Sequence, residues 1–145
     1  DHPIKELIWT GGVTTGGPGA LTGPSTPLAF ATPDTNWGLK LNGHERFSPQ
    51  HLDYFTRTQV YQHHSGNGGV NNKDSIGVYS FALKPEEHQP SGTCNFSRID
   101  SAQLTFAGTV PASVAGSNNY LINVYAVNYN VLRIMSGMGG LAYSN

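Results

Sequence analysis

Short apolar runs separated by long polar, glycine-rich stretches set the pattern of this chain, and most runs alternate with the period of a strand. Ile4 to Thr10 (IKELIWT) lies between Pro3 and Gly11-Gly12 and reads as a strand. Leu7, Ile8 and Trp9 put apolar side chains on both its faces, which predicts burial between layers. Trp37 to Leu41 alternates Trp37, Leu39 and Leu41 against Gly38 and Lys40, and Asn42-Gly43 then signals a turn, since both residues tolerate positive φ. Ile76 to Leu83 sets Tyr79, Phe81 and Leu83 against Val78, Ser80 and Ala82, and the larger set is expected to be buried. Ser101 to Ala107 alternates most cleanly, with Ala102, Leu104 and Phe106 on one face. Tyr120 to Ile134 is a long β-branched and aromatic run, and its asparagines at 123, 128 and 130 argue against a buried helix.

The connections are long. Gly11 to Pro27, Ser65 to Ser75 and residues 108–119 read as loops, Leu28 to Ala31 is too short to assign, and Met135 to Asn145 reads as an irregular tail. Ser48-Pro49 resembles a helix start, Ser as cap and Pro at the first helical position. With Leu52, Phe55 and Gln59 at helical spacing it predicts a short helix near 49–56, while Gln59 to His64 is left between strand and loop. About five strands with at most one or two short helices predict an all-β antiparallel sandwich of the jelly-roll kind. A jelly roll needs eight strands, so five do not close one. The missing strands are expected before Asp1 or from a partner.

Composition narrows the role. The 145 residues suit a single domain, 1–145, expected to be incomplete, and a start at Asp1 rather than Met suggests an internal fragment or a processed product. Only 12% of residues are charged, against a usual level of about 25%, so much of the surface is either polar and neutral or covered by partners. Eight basic residues, scattered singly, argue against direct nucleic-acid binding. The single cysteine, Cys94, excludes an internal disulfide and suits a reducing compartment. No apolar stretch approaches the roughly 20 residues of a membrane span, and no signal-peptide pattern begins the chain.

Site chemistry is sparse. His63 and His64 are adjacent and would splay apart on a strand, while His88 and Cys94 match no zinc spacing and His2, His44 and His51 stand alone. No metal, cofactor or catalytic residue is therefore expected, and a metal-dependent cupin-type enzyme is disfavoured. Glu86-Glu87 lacks the facing geometry of a glycosidase pair, Ser136 lacks the glycine of a nucleophile elbow, and the glycines from Gly137 onward match no phosphate loop. Asn95-Phe96-Ser97 matches the glycosylation sequon, but a structural role for Asn95 is favoured. Arg98 and Asp100 would share a strand face and, beside Glu86 and Glu87, are expected to form a partly buried charge network. A lectin-like glycan-binding module using Trp37, Tyr54 or His63-His64 is the competing reading.

The run Tyr79 to Asp100 (YSFALKPEEHQPSGTCNFSRID) resembles the hallmark segment of the double jelly-roll major capsid proteins of nucleocytoplasmic large DNA viruses, among them iridovirus, phycodnavirus and mimivirus-like proteins. The opening His2 to Trp9 (HPIKELIW), Leu41 to Phe47 (LNGHERF) and the closing Asn128 to Asn145 (NYNVLRIMSGMGGLAYSN) resemble the same family, in order along nearly the whole chain. The resemblance implies the later part of a second jelly roll in a homotrimeric, pseudo-hexagonal capsomer. Its partners would be upstream strands of the same protein, neighbouring capsomers and minor capsid proteins, in a virion assembled in the host cytoplasm. It carries over no catalytic residue. The residues expected to matter are architectural: Pro85 and Pro90 stiffen the connection, Gly92 turns it, and Cys94 to Ile99 starts the next strand, with Glu86, Glu87, Asn95, Arg98 and Asp100 alongside.

Overall fold

The computed structural model describes residues 2–14, 36–66, 76–107 and 119–143. Among them it forms the expected antiparallel sandwich. Strand β1 (Pro3–Thr14) is the centre of the first sheet. It pairs along one edge with β8 (Asn119–Asn128), and along the other with β5 (Ile76–Ser80) and then β6 (Cys94–Asn95). In the second sheet β2 (Asn36–Leu41) pairs with β7 (Ala102–Ala107) on one edge, and with β3 (His44–Glu45) and β4 (Gln50–His51) on the other. A separate hairpin, β9 (Leu132–Met135) and β10 (Met138–Leu141), ends the described chain.

The core lies between the sheets. Ile4, Leu7 and Trp9 of β1 meet Trp37 and Leu39 of β2, and Leu52 and Phe55 close one side. The Trp9 ring centroid lies 6.0 Å from that of Trp37 and 5.4 Å from that of Phe55. Ile4 and Leu7 are three residues apart, so on a regular strand they would face opposite ways. A bulge resolves the conflict: between Ile4 and Glu6 the register with β8 shifts, leaving Lys5 as the extra residue. Its carbonyl accepts from the N–H of both Phe81 and Ala82, and so ties the bulge to the segment after β5. The far face of β1 is covered too, since Glu6 there is buried, as expected for burial between layers.

Several sequence expectations change here. Strand β1 runs on to Thr14, so residues 11–14 are strand rather than loop; residues 15–27 and the unassigned Leu28 to Ala31 lie outside the described residues. Residues 67–75 and 108–118 of the other loops do as well. Ser48-Pro49 does not start the helix, because Gln50 and His51 first pair with β2. Helical turns occupy 52–63, a π segment Tyr54–Thr58 followed by α1 (Gln59–His63). Gln59 to His63 is thus helix rather than strand or loop, because Leu52, Phe55, Thr56 and Gln59 bury one helical face.

Strand β5 ends at Ser80, and its smaller face is the buried one: Val78, Ser80 and Ala82 are buried while Leu83 is exposed. Tyr79 and Phe81, half-buried, line the rim of the core in contact with Phe47 and Phe96. The chain after Asn95 is a short 3-10 turn (Phe96–Arg98) rather than a continuing strand, capped by Asn95 Oδ1 on the N–H of Ser97 at 3.1 Å. The run from Tyr120 breaks after Asn128, and the tail expected to be irregular folds into the β9–β10 hairpin. Ser136 and Gly137, both at positive φ, make its turn.

Candidate assembly surface

The four motifs singled out in the sequence meet in pairs. Asn42, at φ 52 in the predicted turn, accepts at Oδ1 from the N–H of Asp100 (2.8 Å) and of Ser101 (3.1 Å), and its own N–H donates to Ser101 O (2.7 Å). This joins the second motif to the end of the third. The first meets the fourth where Tyr129 N–H donates to Pro3 O (3.1 Å) and the ring of His2 packs against Tyr143, centroids 5.2 Å apart.

The segment after β5 folds back on itself. Lys84 N–H donates to Ser91 Oγ (2.9 Å), and Pro85 is fully buried beneath this closure. Gly92, at φ 142, brings its Cα so near Phe81 O that a Cβ would sit 2.6 Å from that oxygen. Pro90 and His88 are exposed, and the Cys94 thiol is half-buried. Burial pushes its pKa up against the opposing pull of Arg46, so it is a poor thiolate.

The charge network expected around Arg98 and Asp100 does not form as predicted. Among the described residues, Glu86 and Glu87 pair with His64 and Lys84. Arg98 and Asp100 are both exposed, because the 3-10 turn at 96–98 removes the strand alternation that would have aligned them. Glu86 accepts from Ser65 N–H and lies against His64 Nδ1, each at 3.1 Å. The Ser65 hydrogen bonds, backbone first, hold its carboxyl below the usual range, and His64 adds to the effect. His64 also reaches buried Glu6, Nε2 to Oε2 at 2.8 Å, and His63 Nδ1 lies 3.0 Å from Leu83 O.

Glu6 and Gln59 make buried contacts that sequence reasoning missed. A lone acid inside the run IKELIWT was the available signal for Glu6, since a carboxylate in a strand buried on both faces must find a partner. Gln59 Oε1 accepts from Ser80 N–H (3.2 Å), and its Nε2 donates to Tyr54 Oη (2.8 Å). A side-chain amide thereby serves a backbone group of β5 that β1 does not engage.

The residues named for a sugar site are already committed. Trp37 is fully buried, Tyr54 bonds Gln59, and His63 and His64 tie down the end of α1. Among the described residues no group of three or more His, Cys, Asp and Glu side chains is placed to hold a metal ion. His64, Glu6 and Glu86 do not form such a site, because the two acids meet opposite nitrogens of one ring.

The prominent exposed feature is apolar. Leu132 (64% exposed) and Ile134 (69%) project from one face of β9, and Met135 with Met138 (75%) flanks the hairpin turn. Val124 and Tyr125 of β8 are exposed as well, on a ten-residue strand that pairs with β1 along one edge. Asn130 braces the hairpin, its Oδ1 accepting from Val131 and Tyr143 N–H and its Nδ2 donating to Tyr143 O (3.0 Å).

A family model described as large eukaryotic DNA virus major capsid protein matches residues 1–140. The major capsid protein of Phaeocystis pouchetii virus is 49% identical, across 99% of this chain and 29% of that protein. The major capsid protein of Pyramimonas orientalis virus is 43% identical, across all of this chain and 37% of that protein. The solved PBCV-1 VP54, fitted into a reconstruction of the virophage Sputnik, superposes over the whole chain and 44% of its own length, with TM-score 0.71 and 35% identity. The chain thus spans about a third to under half of the relatives it matches.

Proposed function

The chain belongs to the large eukaryotic DNA virus major capsid protein family, and on that premise we propose that it is the closing part of the second of two jelly rolls in a capsid subunit. Three subunits would form a pseudo-hexagonal capsomer, and capsomers would tile an icosahedral shell assembled in the host cytoplasm. The role is architectural and not catalytic, and it needs no cofactor. Partners are upstream strands of the same protein, other copies of it, neighbouring capsomers and minor capsid proteins.

The exposed apolar hairpin carries this reading. Leu132, Ile134, Met135 and Met138 leave too much apolar surface uncovered for a free-standing domain, and a shell subunit has neighbours to cover it. Architecture also accounts for the hallmark segment. Its buried proline, the glycine at a φ that a side chain would not tolerate, and its folded-back loop shape a surface.

Sedimentation velocity on the protein, expressed with the sequence that flanks these residues in its gene, tests the reading. A trimer is expected, and Ile134→Asp with Met138→Asp should lower trimer yield while the circular dichroism of the sheets is kept. A stable monomer at micromolar concentration, or a charged hairpin that assembles at wild-type yield, would overturn it.

A further inference from the structure

His64 stands between two carboxylates, Glu6 on β1 and Glu86 in the 84–90 loop. The Glu6 side chain is 7% exposed, that of His64 19% and that of Glu86 46%, so the contacts run from the interior to the surface. A neutral imidazole has one N–H and one lone pair, so it donates to one carboxylate only. Its other nitrogen would then aim a lone pair at the second carboxylate oxygen. At 2.8 and 3.1 Å both contacts are made together only when the trio holds one additional proton. That proton resides on the imidazole or on the Glu6 carboxyl, whose O–H would donate to Nε2; it belongs to the group and not to one residue.

We propose that this trio is a proton-loaded clasp. While the proton is held, it ties the end of α1 to β1 and to the 84–90 loop. When the proton leaves, the remaining N–H stays with Glu6, because an unpaired buried carboxylate is costlier than an exposed one. The Glu86 contact is therefore the one that opens, and Glu86 keeps Ser65 N–H as its other anchor. Neighbouring ionisable groups are engaged elsewhere or point away. His63 faces Leu83 O, Lys84 pairs with Glu87, Lys5 lies over the Tyr129 ring, and Tyr54 Oη accepts from Gln59. Arg57, Tyr61 and His88 are on exposed surface.

The pH sense follows from the two ends of the clasp. The extra proton is what lets both contacts of His64 be made together, so what it adds to the clasp is lost as pH rises and the proton leaves. Glu86 behaves oppositely. Its carboxyl is held low by Ser65 first, so its contribution is complete above the ordinary glutamate value of about 4.3 and is lost as pH falls through the lowered one. The loop is held most firmly between these limits.

Hydrogen–deuterium exchange on the protein with its flanking sequence, at pH 6 and pH 8.5 and corrected for intrinsic chemical rates, tests this. Protection at Lys84 and Glu87 should fall about tenfold or more at the higher pH, the worth of one charge-assisted hydrogen bond, while that of Ser65, still held by Glu86, should not. Glu86→Gln should erase that step, since an amide can accept from an N–H or donate to a lone pair. Its half-exposed position makes it a variant that folds. Absence of the step in the wild type, or an equal step in Glu86→Gln, would overturn the clasp whether or not the protein assembles.

Discussion

Trp9 and Gly77 are cross-strand partners, and the indole occupies the space a side chain at residue 77 would need. A Cβ built on Gly77 would lie 2.3 Å from Trp9 Cε2 and 2.5 Å from its Nε1. The ring cannot retreat, because Trp37 and Phe55 pack against it and it is 1% exposed. Glycine at 77 is a packing requirement of the core, one that φ does not impose.

Gly77→Ala should therefore destabilise the protein by about 1–3 kcal/mol, the range of an overpacked core. Gly139→Ala is the control: an added Cβ there meets nothing within 4 Å, and its effect should stay within about 0.5 kcal/mol. Urea unfolding of both variants measures the difference. Equal midpoints would show that the indole can move.

Gln59→Leu keeps the volume of a buried side chain but removes the acceptor for Ser80 N–H and the donor to Tyr54 Oη. Leaving the buried N–H without a partner should cost about 1–3 kcal/mol. Amide exchange at Ser80 should accelerate more than at Val78, which would separate the lost edge contact from general loosening.

Gly92→Ala meets two obstacles, a φ of 142 and a backbone oxygen at 2.6 Å. The expected loss is about 1–3 kcal/mol, and it should fall on the folded-back loop, where Lys84 N–H reaches Ser91 Oγ. Replacing Pro85 together with Gly92 should in addition lower capsomer yield. Normal assembly of the double variant would show that the shape of this loop is dispensable.

Much of the sandwich was legible in the chain. Alternation located β2 and β7, and Asn42-Gly43 turned where both residues were expected to adopt positive φ. Helical spacing of Leu52, Phe55 and Gln59 was visible as well, yet the helix starts later and runs further than its Ser-Pro signal implied. That signal lost to pairing of Gln50 and His51 with β2, a contact with residues distant in sequence. The expected charge network failed for a related reason, because it rested on strand geometry at Arg98 where Asn95 caps a 3-10 turn instead.

Local order, then, is written in periodicity and turn chemistry, which act over a few residues: strands, turns, a sparsely charged surface and the family motifs. Which strand face is buried is a long-range outcome. Val78 and Ser80, cross-strand from Ile8 and Glu6 on the face of β1 away from the inter-sheet core, are buried despite their smaller size, while Tyr79 and Phe81 pack against that core only in part. The partnership of Glu6, His64 and Glu86 is of the same kind. The first two are 58 residues apart in the chain and meet at 2.8 Å only once the end of α1 is brought against β1. No spacing rule reaches that far; burial of a carboxylate, which needs a partner within hydrogen-bond distance, is what holds the three together.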